Sequence, residues 1–175
     1  VAINSPQSNL QRGGGVSEDI NFKINDNYTL KSISAYRTVN YNFLLDTDDT
    51  PLNINFGVQS ETEKQLSQEF NLNVNYSRFS GVAGLYYFYE SEDGVNDVVV
   101  PSALAEKVTA PEVWTRSAAA FAQGSFAVTP DVRLTLGGRY TRETKTIEAN
   151  YQAYHLSPDL ARVSNFPGFP IQFST

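Results

Sequence analysis

Between Lys64 and Tyr76 the chain alternates without a break. Leu66, Gln68, Phe70, Leu72, Val74 and Tyr76 fall on one face, and Ser67, Glu69, Asn71, Asn73 and Asn75 on the other. A period of two marks a half-buried strand with one wet face, whereas a helix would scatter the same apolar residues around its circumference. Val132 to Ile147 repeats the pattern: Val132, Leu134, Leu136, Gly138 and Tyr140 oppose Arg133, Thr135, Gly137, Arg139, Thr141, Glu143 and Lys145. Arg116 to Val128 sets Ala120, Ala122, Gly124, Phe126 and Val128 against Phe121, Gln123 and Ser125. Further strands are predicted over Val16–Ile24, Tyr28–Leu45 and Ser80–Glu90. The last contains Leu85-Tyr86-Tyr87-Phe88-Tyr89, apolar on both faces, so alternation does not assign its outward side. Residues 1 to about 15, with Gly13-Gly14-Gly15, read as the tail of a loop. The one candidate for a helical turn is Ser102–Lys107.

The connections alternate in length. Tight polar turns are predicted at Asn25-Asp26-Asn27, Ser77-Arg78-Phe79 and Thr129-Pro130-Asp131, where Pro130 interrupts no ladder. Longer stretches separate them: Asp46–Glu63, Ser91–Thr115 and everything after about Glu148. Three hairpins in series give an all-β, antiparallel up-and-down meander of about six strands. Minimal turns on one rim and long loops on the other are what a β-barrel crossing an outer membrane shows. The strand Tyr28–Leu45, at ~3.3 Å per residue, is longer than a ~30 Å hydrocarbon core requires, so part of it would stand outside the membrane.

Composition does not oppose this. The chain has 175 residues, is 41% hydrophobic and 18% charged, and its mean hydropathy is -0.34. No apolar run approaches the ~20 residues of a transmembrane helix, but barrel strands show lipid only alternate residues and keep average hydropathy low. Aromatics reach 13%, with Tyr 10 and Phe 11, as suits sheets and interfacial girdles. The absence of Cys excludes disulfides and thiolate metal sites. A net charge of -6 argues against a nucleic-acid partner, which needs a basic surface. The chain begins at Val1 without a signal segment, and is read as an internal fragment whose leader lies in missing sequence.

Four stretches then resemble, in order, the strands of TonB-dependent outer-membrane receptors. They are Leu30-Lys31-Ser32-Ile33-Ser34-Ala35-Tyr36-Arg37, Ser67-Gln68-Glu69-Phe70-Asn71-Leu72, Gly84-Leu85-Tyr86-Tyr87-Phe88, and the hairpin from Phe121-Ala122-Gln123-Gly124-Ser125-Phe126 to Leu134-Thr135-Leu136-Gly137-Gly138-Arg139-Tyr140-Thr141. Together they span Ile20 to Lys145. The resemblance implies a barrel of about 22 strands with a plugged lumen, of which residues 1–175 are a partial barrel domain lacking the plug and the remaining strands. It also implies active import of a scarce small molecule (a ferric siderophore, haem, cobalamin or an oligosaccharide), energised by the TonB complex through parts of the protein outside this chain. The location implied is the outer membrane of a Gram-negative bacterium. Leu66, Phe70, Leu72, Val74, Leu134, Leu136 and Tyr140 would then face lipid, and Ser67, Glu69, Asn71, Asn73, Arg139 and Glu143 the lumen. The rival readings are a porin-like barrel and a soluble all-β carbohydrate-binding or interaction module.

No catalytic constellation appears, so no enzyme activity, cofactor or metal site is expected. His155, the sole histidine, has no nucleophile or second ligand nearby in sequence and reads as an exposed loop residue. Asp46-Thr47-Asp48-Asp49 lacks the glycine and closing glutamate of a calcium loop and reads as a solvated acidic loop. Gly13-Gly14-Gly15 lacks the strand, lysine and helix of a phosphate loop. The row Arg133, Arg139, Glu143 and Lys145 could line a substrate path, but cross-strand charge pairing is the simpler expectation. Tyr36, Tyr41, Phe43, Tyr86, Tyr87 and Tyr89 read as girdle or packing residues. Individual ligand-binding residues stay unassigned; the stretches Asp46–Glu63 and Ser91–Thr115 are where contacts are expected.

Overall fold

The alternating segments form six long antiparallel strands in chain order, each hydrogen-bonded to the next. They are β1 (Ser8–Lys23), β2 (Tyr28–Asp46), β3 (Phe56–Asn75), β4 (Phe79–Val100), β5 (Ala105–Ala127) and β6 (Arg133–Leu156). Two short strands, β7 (Arg162–Asn165) and β8 (Ile171–Ser174), pair back onto β6. The computed structural model describes residues 7–165 and 171–174. Within them the sheet is a single open layer.

All three tight turns lie at one end; local side-chain bonds fix the first and third, and the backbone bond from Tyr76 N–H to the Phe79 carbonyl (2.7 Å) closes the second. Asn25 Oδ1 accepts from the backbone N–H of Asn27 and Tyr28 (2.9 and 3.0 Å), and Thr129 Oγ1 accepts from Val132 N–H (3.0 Å). Such Asx- and Thr-type caps leave a short turn few alternatives. At the opposite end the strands run on well beyond their expected limits. β3 begins at Phe56, β4 reaches Val100, β5 begins at Ala105 and β6 reaches Leu156. The long stretches are therefore mostly hairpin, not loop. Of Ser91–Thr115 only residues 101–104 lie outside the strands, as a 3-10 turn (Pro101–Ala103) closed by Leu104 at φ 48°. Outside a membrane both faces of a strand are wet, so the alternation disappears while the backbone pairing continues.

The start of the chain is corrected in the same way. Gly13-Gly14-Gly15 lies inside β1, opposite Val39, Thr38 and Arg37. A Cβ on Gly15 would stand 2.6 Å from the Tyr36 carbonyl oxygen, so glycine permits a close backbone approach there. Residues 1–6 of the expected loop tail lie outside the described residues. His155 also belongs to a strand, β6, facing Ala105 and Ser164 across the ladder.

Register fixes the faces. Tyr36, Leu66, Tyr89 and Arg116 share one row, and Leu30, Leu72, Ala83, Ala122 and Gly138 another. This apolar face includes all seven residues expected to meet lipid. On the opposite face, Ser67 aligns with Phe88, Ser117 and Glu143, and Asn71 with Gly84, Phe121 and Arg139. The fourth strand is assigned by the same registers. Leu85, Tyr87 and Tyr89 join the apolar face, and Tyr86 and Phe88 the polar one. Polar residues on the apolar face bond to each other: Ser34 Oγ donates to Gln68 Oε1 (2.6 Å), and Gln68 Nε2 donates to Ser32 Oγ (3.0 Å). Glu18, beside Ser34 in the ladder, is the acidic residue of that region.

A one-layer sheet has no second layer to bury this face. The buried apolar set is small (Val39, Val99, Ala119 and Leu156), while Leu85 is 61% and Leu136 81% exposed. A contiguous apolar surface of this kind demands a cover.

Candidate functional site

On the polar face the side chains converge at mid-height around Gly84. A Cβ there would collide with Asn71 Oδ1 and the Phe121 ring, so the glycine makes room for both to fold across β4. Asn71 is buried; its Nδ2 donates to Glu69 Oε1 (2.6 Å) and its Oδ1 has no hydrogen-bond partner. The Arg139 guanidinium lies over two rings, 5.5 Å from the centroid of Tyr86 and 5.6 Å from that of Phe121, and its Nε donates to Thr141 Oγ1 (3.1 Å). Cation–π contacts hold a guanidinium in place without neutralising it.

The expected cross-strand charge pairing is absent here. Among the described residues Arg133, Arg139, Glu143 and Lys145 form no ion pair with one another, and Arg133 instead donates to Ser80 Oγ (3.3 Å). The reason is register. Glu143 stands opposite Ser117, Arg139 opposite Phe121 and Lys145 opposite Thr115, so no carboxylate directly faces a cation. The aromatic residues divide as well. Tyr36, Tyr87 and Tyr89 lie on the apolar face, where a girdle would be, but Tyr41, Phe43 and Tyr86 lie on the polar one. There Tyr41 and Phe43 stack at 6.1 Å.

Above this level the polar face turns acidic. Glu63 stands directly opposite Glu92, and Gln65 donates from Nε2 to Glu90 Oε2 (2.6 Å). Burial pushes the Glu92 carboxyl above its ordinary range; Glu90, Glu61 and Glu63 push it further, and Lys145 opposes them. Among the described residues no group of three His, Cys, Asp or Glu side chains is placed to hold a metal ion.

The expected contact stretches are internally wired. Asp46 is 1% exposed, which corrects the picture of a wholly solvated acidic loop. Asp48 Oδ1 accepts from Thr50 N–H (2.9 Å) and Oγ1 (2.5 Å), and Oδ2 accepts from Asn55 N–H (3.0 Å). The Thr50 hydroxyl leads these bonds in holding the Asp48 carboxyl below its usual range.

A second charged cluster, invisible in the sequence, ties β7 to the outer hairpin. Arg162 donates from Nε and Nη2 to the two carboxylate oxygens of Glu106, both at 2.5 Å. It lies 3.7 Å from Asp97 and 4.3 Å from the Tyr154 ring centroid. Burial, then the hydrogen bond and charge of Glu106, raise the Asp97 carboxyl to about 7, while Arg162 holds Glu106 below its ordinary range. Because the partners lie far apart in sequence, only the ladder brings them together.

The family model for TonB-dependent receptor-like β-barrels matches residues 4–165. No curated relative matches the chain. Among solved structures, the ferric yersiniabactin uptake receptor FyuA from Yersinia pestis matches with a TM-score of 0.67 and 14% identity. That match covers 99% of this chain and 25% of the receptor, so the chain spans about a quarter of that protein's length. With the family matched over nearly the whole chain and the same sheet found in a solved barrel, the chain belongs to the TonB-dependent receptor β-barrel family, a family of outer-membrane transport proteins.

Proposed function

We propose that this chain is a section of receptor wall spanning the outer membrane of a Gram-negative bacterium, in a barrel whose plug and remaining strands lie outside residues 1–175. Its apolar face meets lipid and its polar face lines the lumen. The observation that carries this reading is the predominance of apolar side chains on one face from the tight turns up to Lys64 on β3 and Arg116 on β5, where the polar Ser32, Ser34 and Gln68 bond to one another. Closure of the barrel satisfies every backbone group in lipid, which an open sheet cannot do.

The transport reading follows from the lumenal wall. Arg139, held by two rings and in no ion pair among the described residues, presents positive charge to the lumen in the row that begins at Asn71 on β3. The work is gated passage of a scarce small molecule, a ferric siderophore or similar ligand, with energy delivered through TonB by other parts of the receptor. The uptake named for the Yersinia receptor points the same way.

The test is fractionation followed by growth. The complete receptor carrying this chain should sediment with outer membranes, and deleting its gene should slow growth when iron is withheld, with rescue by one siderophore class. Recovery as a detergent-free soluble protein would overturn the membrane reading. Unchanged growth under iron limitation with a defect on an oligosaccharide would move the ligand to sugars.

A further inference from the structure

The apolar face keeps its cations at one level. Arg12, Lys64 and Arg116 each stand eleven residues from the tight-turn end of their strands, at Lys23, Asn75 and Ala127, and Arg142 stands nine from Arg133. Eleven residues cover ~36 Å along a strand, and a tilt of ~40° reduces this to a rise of ~28 Å. That is the upper edge of an apolar band ~25 Å tall. Below that edge, among the described residues of β1–β6, one charged side chain shares the face: Glu18. It stands five residues from Lys23, ~13 Å above the turn end and close to the middle of the band. Glu18 is exposed and forms no ion pair among the described residues. A carboxylate at that depth is costly against hydrocarbon, and such groups persist where a partner receives them.

The neighbours of Glu18 are polar too. It lies opposite Ser34, whose hydroxyl donates to Gln68 Oε1 (2.6 Å), and Gln68 Nε2 donates to Ser32 Oγ (3.0 Å). That chain of bonds leaves the Ser32 hydroxyl proton free to donate outward. The Tyr36 side chain is exposed on the same face. Ser32 and Tyr36 stand two residues below and above the level of Glu18 on the adjoining strand, ~5 Å away in height. Beside them Val16, Glu18, Ser34, Tyr36 and Leu66 line a hollow of about 500 Å³.

Two copies in one membrane point the same way, so a two-fold axis between them runs along the membrane normal. Each residue then meets residues of the other copy at its own height. An isologous contact of this kind needs an acceptor and its donors side by side at one level. Glu18 on β1 and the Ser32 and Tyr36 hydroxyls on β2 satisfy that condition, one strand spacing (~4.8 Å) apart. We propose that this patch is a lateral docking surface for a second copy of the receptor, in which Glu18 of each copy accepts hydrogen bonds from Ser32 and Tyr36 of the other. The proposal rests on the reading that this face meets the membrane. Complementarity selects the occupant: the patch carries both the acceptor and the donors, whereas an acyl chain offers neither. The hollow receives a side chain of the opposing copy, and Val16, Ile20 and Leu66 close around the polar centre and exclude lipid.

The experiment uses the complete receptor, extracted from outer membranes in mild detergent, with association read by sedimentation equilibrium and mass by native mass spectrometry. Wild type should form a reversible dimer. Glu18→Leu should weaken it about 100-fold, a factor of about ten for each of two reciprocal charged contacts. S32A/Y36F keeps the carboxylate and removes the donors, and should weaken the dimer comparably. Adding E18L to that pair should cost nothing further, because the three side chains make one contact. In intact outer membranes, Thr38→Cys should give a dimer with a short bis-maleimide, and Ala120→Cys, three strands away on the same face, should not. A wild-type receptor that stays monomeric, an E18L dimer as tight as wild type, or a Thr38→Cys adduct with a different protein would overturn the proposal. A receptor absent from the outer-membrane fraction sinks the membrane reading itself, whereas one present there as a monomer sinks only this inference.

Discussion

Phe70→Arg is the sharpest test of which face meets hydrocarbon. Phe70 lies outward on β3, five residues from the turn end at Asn75 and six from Lys64 at the upper edge. At ~3.3 Å per residue and a tilt of ~40°, it sits ~13 Å above the turn end, close to the middle of the apolar band. Arginine at the midplane of a barrel's lipid face is destabilising by ~2–4 kcal/mol, a factor of roughly 30 to 1,000 in the folding equilibrium. Asn73→Arg, three residues along the same strand but inward, places the same side chain in the lumen and should change stability by less than ~1 kcal/mol, within the range of surface substitutions. Urea midpoints of the complete receptor reconstituted in bilayers measure both. Equal midpoints for the two variants, or a larger loss in Asn73→Arg, would refute the assignment of faces.

Gly84→Ala should displace the Phe121 ring and Asn71, costing about 1–3 kcal/mol as an overpacked site does. It should also free Arg139, read as faster exchange of its guanidinium signals by NMR. Arg162→Ala leaves the Glu106 carboxylate, only 8% exposed, without its bidentate partner, so amide exchange across Arg162–Asn165 should rise more than tenfold while β3 is unaffected. The same exchange should depend on pH. Asp97 binds its proton more tightly folded (about 7) than free (3.8), so its contribution is complete below 3.8 and is lost as pH rises through about 7. Glu106 shifts the other way and loses its contribution as pH falls below about 4.5. Protection of β7 should therefore be greatest near pH 4.5 and fall progressively as pH rises to about 7; protection that rises between pH 5 and 7 would show that Asp97 stays ionised in the fold.

The sequence was most legible where one face meets lipid and the other water. In β3 and β6 that contrast writes itself as strict alternation, and the expected faces of Leu66, Phe70, Asn71, Leu134 and Arg139 agree with the registers. Where both faces meet water, nothing marks a strand. The Ser91–Thr115 stretch, with Glu92, Asp93 and Glu112 interspersed, read as loop although its backbone is almost wholly paired. The fourth strand failed for the opposite reason: Leu85 to Tyr89 is apolar throughout, and only Phe70 opposite Leu85 shows which side it takes. At the candidate site, the charges of Arg139 and Glu143 were legible but not their partners. Pairing depends on which residue faces which, and the Arg162–Glu106 contact spans |i−j|=56. Local sequence carries no trace of such a contact, since the ladder alone sets its register.

The two charged belts show why composition misleads about this wall. A net charge of -6 describes an acidic protein, yet the charge is sorted by face near the upper edge of the apolar band. Lys64 points outward and Glu63, its neighbour in the chain, inward. Across β3 and β4, Glu63 faces Glu92, while on the other side Tyr89 faces Arg116. Like charges opposite one another weaken a ladder by a few tenths of a kcal/mol to about 1 kcal/mol, so the acidic row is not there for the strength of the sheet. A shift of one residue would exchange the faces of a whole strand, putting Lys64 in the lumen and Glu63 into the membrane edge. The register is held by far more than those charges: twenty consecutive residues of β3 pair with β4, and Phe121 and Asn71 interlock over Gly84. Alternation therefore gives the wall an acidic inner mouth and a basic outer collar at the same height. Neither could be read from the chain's average charge, and each depends on the ladder keeping step.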